Sequence, residues 1–157
     1  MSNNTNIIVT ENHIQQAFDQ IHESGNMEKI MTAFSLEQRS LLTYLFLMQE
    51  KLEFEDDFEL LLLLGTSIWL SYKNAVGSIE PVSEALIMNN ANAYMAKLKH
   101  EGQHIATEHS QTELLAFVEQ MIKNHQEDKP NFDLKSQSII MTTSHILIDA
   151  LEEALKK

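Results

Sequence analysis

Glycine and proline are scarce in this chain, and their positions limit what it can fold into. Only 4 Gly and 2 Pro occur among 157 residues, and most stand where an apolar stretch begins or ends. Within those stretches, hydrophobic residues recur at i, i+3, i+4 and i+7, the spacing that places side chains on one face of an α-helix. No segment shows the strict alternation of an exposed β-strand. The pattern predicts an all-α fold, a single bundle-like domain of six or seven helices.

Capping signals divide the chain into the expected helices. Thr10 is a good N-cap for the first helix, and Pro81 suits the first position of the fifth. Residues 35–38 and 110–113 read Ser-x-x-Gln and Ser-x-x-Glu, capping boxes that predict the starts of the third and sixth helices. The other expected helices are a second with apolar positions from Met27 to Phe34, a fourth over about 56–76, and a last one from about Asp133.

Two segments carry additional expectations. Residues 1–9 are expected to form a flexible or extended tail of a domain that spans 1–157. Residues 138–148 lie in the last expected helix but are rich in β-branched side chains, which also favour strand. Strand is therefore the alternative for that segment.

The fourth expected helix is apolar on every side. Its stretch from Phe58 to Leu70 contains a single charged residue, Glu59. A helix of this kind is usually buried in the middle of a bundle or at a subunit interface. We expect one very apolar central helix over about 56–76, and its excess of apolar surface predicts a homodimer.

The charge balance excludes several classes of partner. Asp and Glu total 23 against 11 Lys and Arg, and the only arginine is Arg39, so the net charge is −12. Nucleic-acid binding and docking to anionic membranes both draw on clustered cations, so neither is expected. An acidic surface can attract a basic protein, and Glu53, Glu55, Asp56 and Asp57 form the densest acidic cluster for one. The chain has no Cys and no visible secretory signal, so we expect a cytoplasmic protein.

One string matches a known catalytic pattern. His100-Glu101-Gly102-Gln103-His104 reads H-E-x-x-H and resembles the zinc metalloprotease signature. The resemblance covers five residues. It implies zinc held by His100 and His104, with Glu101 activating a water molecule. Gly102 departs from the family, which usually has a bulky apolar residue there. The further ligand that such a site needs would come from Glu108, His109 or Glu119, none of which has a familiar spacing.

The neighbouring residues favour a different interpretation of this string. On a continuous helix, His100 and His104 lie about 200° and 240° from Leu98, which belongs to the core stripe, so both would point into solvent. Lys97, Lys99 and His100 followed by Gly102 are also typical of a last helical turn. We interpret the string as a polar stretch at the end of the fifth helix.

A di-metal carboxylate site is a third hypothesis. Glu101-x-x-His104 matches the Glu-x-x-His element of ferritin-like sites, and Asp19-x-x-His22 is a loose second copy. Such a site needs two further inward carboxylates, and no carboxylate stands alone within an apolar face. His145 lies among apolar residues and is expected to be a hydrogen-bonded core histidine.

The sequence leaves two functional hypotheses. The first is a small acidic helical protein that acts as a non-enzymatic, self-associating interaction module. The alternative is a zinc-binding metalloprotein, acting as a hydrolase, that uses His100, Glu101 and His104. We assign no catalytic residue, cofactor or metal ligand from the sequence, and a non-enzymatic role is the preferred hypothesis.

Overall fold

The computed structural model describes residues 7–23, 25–101 and 111–155, with side chains omitted for 99–101. Within them it contains seven α-helices and no strand, so the all-α prediction is confirmed. The helices are α1 (Glu11–His22), α2 (Asn26–Glu37), α3 (Arg39–Gln49), α4 (Glu55–Val76), α5 (Glu84–Glu101), α6 (Thr112–Asp128) and α7 (Leu134–Leu155). Residues 138–148 lie inside α7, so the strand alternative there is wrong.

Helix α4 lies at the centre of the domain. It packs against α1, α2, α3, α6 and α7, and most of its residues from Asp57 to Tyr72 are buried. The flat ring of Trp69 stacks on Phe34 of α2 at a centroid distance of 4.8 Å. These neighbours cover the helix within a single chain, so its all-round apolar character needs no second copy. The apolar character of α4 alone therefore does not predict a dimer.

Helix α5 lies on the outside of the same domain. It packs mainly on α7 and also contacts α3. Ile87, Ala91 and Tyr94 form its buried stripe, at the spacing expected from the sequence. Its opposite side is free of contacts with other described helices and faces solvent.

The predicted helix starts are confirmed in part. Thr10 caps α1 through a reciprocal pair of hydrogen bonds with His13. The predicted capping box at 35–38 is wrong, because α2 continues through Ser35 to Glu37. Gln38 is buried at the α2–α3 corner, where its amide donates to the Glu80 carbonyl and accepts from the Val82 amide. That long-range contact fixes the corner in place of a local cap.

Helices α5 and α6 start later than expected, whereas α7 starts close to the predicted residue. The backbone helix of α5 begins at Glu84, after Pro81, and the Ser83 hydroxyl accepts from the Leu86 amide. Helix α6 begins at Thr112, and Ser110 of the predicted capping box lies outside the described residues. Before α7, the Asp133 carboxylate accepts from the Ser136 amide, close to the predicted start.

The N-terminal segment is anchored where it is described. Residues 7–10 are not helical, and Val9 is fully buried. The Gln111 amide oxygen accepts from the Val9 backbone N–H, and its amide nitrogen donates to the Ile7 carbonyl. Residues 1–6 of the predicted tail lie outside the described part of the chain.

None of the described helices combines the length and the apolar character that a crossing of the membrane would need.

Gly65 marks the closest approach between the central helix and its neighbours. A Cβ atom at this position would lie 2.5 Å from Leu45 Cδ1 of α3 and 3.3 Å from Leu147 Cδ2 of α7. Leu45 and Leu147 are themselves fully buried, so neither side chain has free space into which it can turn. The glycine therefore lets three helices pack closely.

We expect Gly65→Ala to lower the free energy of unfolding by about 1 kcal/mol. Overpacking costs about 1–3 kcal/mol, which exceeds the gain of roughly 1 kcal/mol in helix propensity. In a Leu45→Ala background, the new methyl group would enter the vacated space and stabilise the protein. Urea unfolding of the four proteins of this cycle measures both effects. An equal effect of Gly65→Ala in the two backgrounds would contradict the steric explanation.

Candidate functional site

The H-E-x-x-H string falls largely outside the described residues. Helix α5 is described to Glu101, but the side chains of His100 and Glu101 are not, and Gly102 to His104 are omitted entirely. Glu108 and His109, two of the suggested third ligands, are also outside the described part. Glu119, the remaining one, is exposed on α6. The zinc hypothesis and its Glu101-x-x-His104 variant therefore stay predictions.

The other sequence candidates have individual partners. The carboxylate of Asp19 accepts a hydrogen bond from Gln15 at 2.9 Å, and His22 Nδ1 lies 2.8 Å from the Phe18 carbonyl oxygen. These two residues do not belong to any group of metal-ligating side chains in the described chain. His145 is buried in α7 with its ring 5.3 Å from that of Tyr94, as expected of a core histidine.

A buried ionic cluster joins the start of α4 to the end of α6. Its members are Asp56, Asp57, His125 and Lys129. The Asp57 side chain is fully buried, and its Oδ1 atom lies 2.9 Å from both His125 Nε2 and Lys129 Nζ. Asp56 is more exposed, and its Oδ1 lies 2.6 Å from the same Lys129 nitrogen.

Local helix electrostatics favour each member of this cluster. Asp56 and Asp57 lie in the first turn of α4, where the partial positive charge of the helix end stabilises carboxylates. His125 lies in the last turn of α6, and Lys129 is the C-cap residue of that helix. Cations are favoured at this end of a helix. No side chain forms a capping hydrogen bond at the start of α4, so Asp56 and Asp57 stabilise this helix end through their charge.

Aromatic rings enclose the two basic side chains. Lys129 Nζ lies 4.0 Å from the centroid of the Phe54 ring, a cation–π geometry. The ring of Phe132 meets His125 edge-on at 4.6 Å. The rings shield the cluster from water, so its charges interact more strongly than they would on the surface.

The cluster shifts the pKa values of two of its members. The hydrogen bond from Lys129, together with its positive charge, lowers the pKa of Asp56. Desolvation acts to lower the pKa of Lys129, but hydrogen bonds to Asp56 and Asp57 outweigh it and raise that pKa. Both shifts favour the ionised pair.

The ligand set could in principle hold a cation. One donor atom each from Asp56, Asp57 and His125 lies within 4.8 Å of the others, which is the only such group among the described residues. The Lys129 ammonium already occupies the place of a cation, because it donates hydrogen bonds to both carboxylates. We therefore interpret the cluster as an internal ion-pair network that ties α4 to α6.

This cluster corrects the predicted acidic docking patch. Asp56 and Asp57 were expected to attract a basic partner together with Glu53 and Glu55. The Lys129 ammonium pairs with both Asp56 and Asp57, and the Asp57 side chain is not accessible. Of these four residues, Glu53 and Glu55 are exposed and form no ion pair with a described residue.

The surface of α3 and α5 has a different character. We define the α3–α5 face by its exposed residues Thr43, Leu47, Met88, Asn92 and Met95. Leu47, Met88 and Met95 are 56%, 43% and 48% exposed. A groove of about 240 Å³ runs along this face between the two helices. Helix faces with several exposed large apolar side chains often mark interaction sites.

The chain matches no known protein family, no characterised protein and no solved structure.

We expect the zinc hypothesis to fail in a direct metal analysis. The sequence predicts either that both histidines point into solvent or that the helix ends between His100 and His104. In the second case the two ligands would be separated. Protein purified without a histidine tag should contain no stoichiometric zinc, and EDTA should leave its melting temperature unchanged. Stoichiometric zinc that is lost in His104→Ala would contradict this expectation.

We expect Lys129→Met to lower the free energy of unfolding by about 2–3 kcal/mol. The substitution keeps the aliphatic stem over Phe54 but leaves the Asp57 carboxylate buried with one fewer partner. Adding Asp57→Asn should restore much of this loss, because it removes the uncompensated charge. Urea unfolding followed by circular dichroism measures these changes.

Lys73→Met is a matched control for this substitution. It removes the Lys73–Glu37 pair, whose side chains are 30% and 36% exposed and which we expect to contribute about 0.5–1 kcal/mol. If Lys129→Met costs no more than Lys73→Met, burial of the cluster does not strengthen its ion pairs.

Proposed function

We propose that this protein is a non-enzymatic interaction domain that forms a homodimer through its α3–α5 face. The observation that carries the proposal is an exposed, uncharged and partly apolar surface on an otherwise acidic protein. The zinc alternative has no support from the described residues and is not part of this proposal.

The long uncharged stretches of these two helices support self-association. No charged residue occurs in α3 from Ser40 to Gln49, or in α5 from Ala85 to Ala96. Two copies that each carry a net charge of −12 repel one another at most orientations. Contact through an uncharged face brings the fewest negative charges together, so this orientation costs the least.

The residues at one end of the groove also support a two-fold contact. Arg39 and Glu84 both line it, and neither forms an ion pair with another described residue. In a two-fold dimer the same patch meets itself, so residues of opposite charge can pair across the interface. Arg39 of one copy would then pair with Glu84 of the other, on the rim of an apolar contact.

We expect the purified protein to have twice the 18.0 kDa mass of one chain at micromolar concentration. Leu47→Glu combined with Met88→Glu should give the single-chain mass, because four acidic groups would then meet at the contact. Light scattering coupled to size-exclusion chromatography measures the mass. The melting temperature of the native protein should also rise with concentration, since association stabilises the folded state.

Leu134→Glu is the matched control. Leu134 is 80% exposed at the start of α7 and does not line the α3–α5 groove, and its replacement adds the same kind of charge. This variant should remain dimeric. A native protein that stays monomeric, or a dimer that survives Leu47→Glu with Met88→Glu, would disprove the proposed interface.

A further inference from the structure

A second groove lies between α1 and α6, and none of its residues belongs to α3 or α5. Its volume is about 400 Å³, and we call it the α1–α6 groove. Its apolar lining consists of Ile14, Phe18, Ala116, Phe117 and Met121. Glu11, Gln15, Glu113 and Gln120 complete the lining.

The large apolar side chains of this lining differ in how far they are exposed to solvent. Ile14 is buried, whereas Phe18, Phe117 and Met121 are only partly covered. The rings of Phe18 and Phe117 meet edge-on with centroids 6.2 Å apart. Two rings in mutual contact and an adaptable methionine present a surface suited to apolar side chains of a partner.

The charged residues that line this groove are both acidic. Glu11 and Glu113 are its only charged lining residues. Helix α1 contains no Lys or Arg, and its acidic residues are Glu11 and Asp19. A ligand with positive charges beside its apolar groups would therefore gain attraction at the rim, while an anionic ligand would be repelled.

From these features we propose that the α1–α6 groove binds a basic amphipathic helix of a partner protein. Apolar side chains spaced i, i+4 and i+7 on that helix would enter between Phe18, Phe117 and Met121. Lysine or arginine side chains beside them would pair with Glu11 and Glu113. This mode is the recognition of a helix in an apolar groove, and the described chain offers no sheet edge for an extended peptide.

The surface differs from the acidic cluster that the sequence suggested. Asp56 and Asp57 are held by Lys129, whereas Glu11 and Glu113 form no ion pair with a described residue. A basic partner can pair with the two free carboxylates without breaking an internal contact. The inference concerns a partner other than a second copy and does not depend on the proposed dimer.

A synthetic peptide tests the proposal directly. The probe is an amphipathic helix of about 16 residues with Leu at helical spacing on one face and Lys on the others. Its control has the same Leu positions and Glu in place of every Lys. Isothermal titration calorimetry with the full-length protein should detect one basic peptide per chain and no binding of the acidic peptide.

Charge variants locate the binding surface. Glu11→Lys with Glu113→Lys should weaken the basic peptide by about tenfold or more. The matched control, Glu59→Lys with Glu119→Lys, makes the same change in net charge at exposed positions that do not line the groove. It should weaken the peptide by less than about threefold, because only general attraction is lost. Circular dichroism spectra should show that all variants keep their helical content.

An apolar variant separates the groove from its charged rim. Met121→Glu should weaken the basic peptide even though it adds a negative charge, because apolar side chains would lose their site. Tighter binding by Met121→Glu, equal weakening by the two charge-reversal pairs, or no binding to the native protein would each overturn the proposal. If Met121→Glu also converts a dimer into a monomer, the groove is occupied by a second copy, and the proposal of a separate partner is wrong.

Discussion

The burial of α4 on all sides is the constraint on which the rest of the structure depends. Five other helices cover it, and its large apolar side chains, among them Leu61, Leu64, Ile68 and Trp69, are almost completely removed from water. Burying such side chains contributes roughly 1.5–3 kcal/mol each, so this helix alone provides much of the driving force for folding. Helix α7 is buried on all sides from Thr143 to Ile148, whereas α1, α2, α3 and α6 each bury one face to complete the core. Their other faces are free to carry the acidic surface and the two grooves.

The sequence was informative where one element determines its own structure. The apolar stretch and the glycine after it predict α4 to within one residue of Glu55–Val76, because periodicity and a helix stop are local properties. The start of α3 was missed because the Gln38 side chain bonds to residues about 42 positions away and replaces a local cap. The α7 segment 138–148 is helical because burial on α4 and α5 outweighs its β-branched composition.

The candidate sites were harder to predict because each one joins residues that are far apart in the sequence. Asp57 and His125 are separated by 68 positions, and nothing local to either one indicates the other. The spacing of His125 and Lys129 places them one turn apart, but this signal alone suggests only an exposed helix end. The missing charges on α3 and α5 could have been found from the sequence, although their meeting on one face depends on how the helices pack. The uncharged α3–α5 face suits contact with a second copy of the chain, and the acidic rim of the α1–α6 groove suits contact with a basic partner. One domain can therefore make both kinds of contact.

The Gln111 side chain has a consequence for the order in which the chain assembles. Its single amide group contacts Ile7, Val9 and Glu152, which joins the N-terminal segment to the start of α6 and the end of α7. The Val9 contact closes a loop across 102 positions. Closing so long a loop costs conformational entropy that contacts between neighbouring residues do not, so this contact becomes favourable only after α6 and α7 have docked on α4. During synthesis, the first described residues of the chain are therefore among the last to reach their final place.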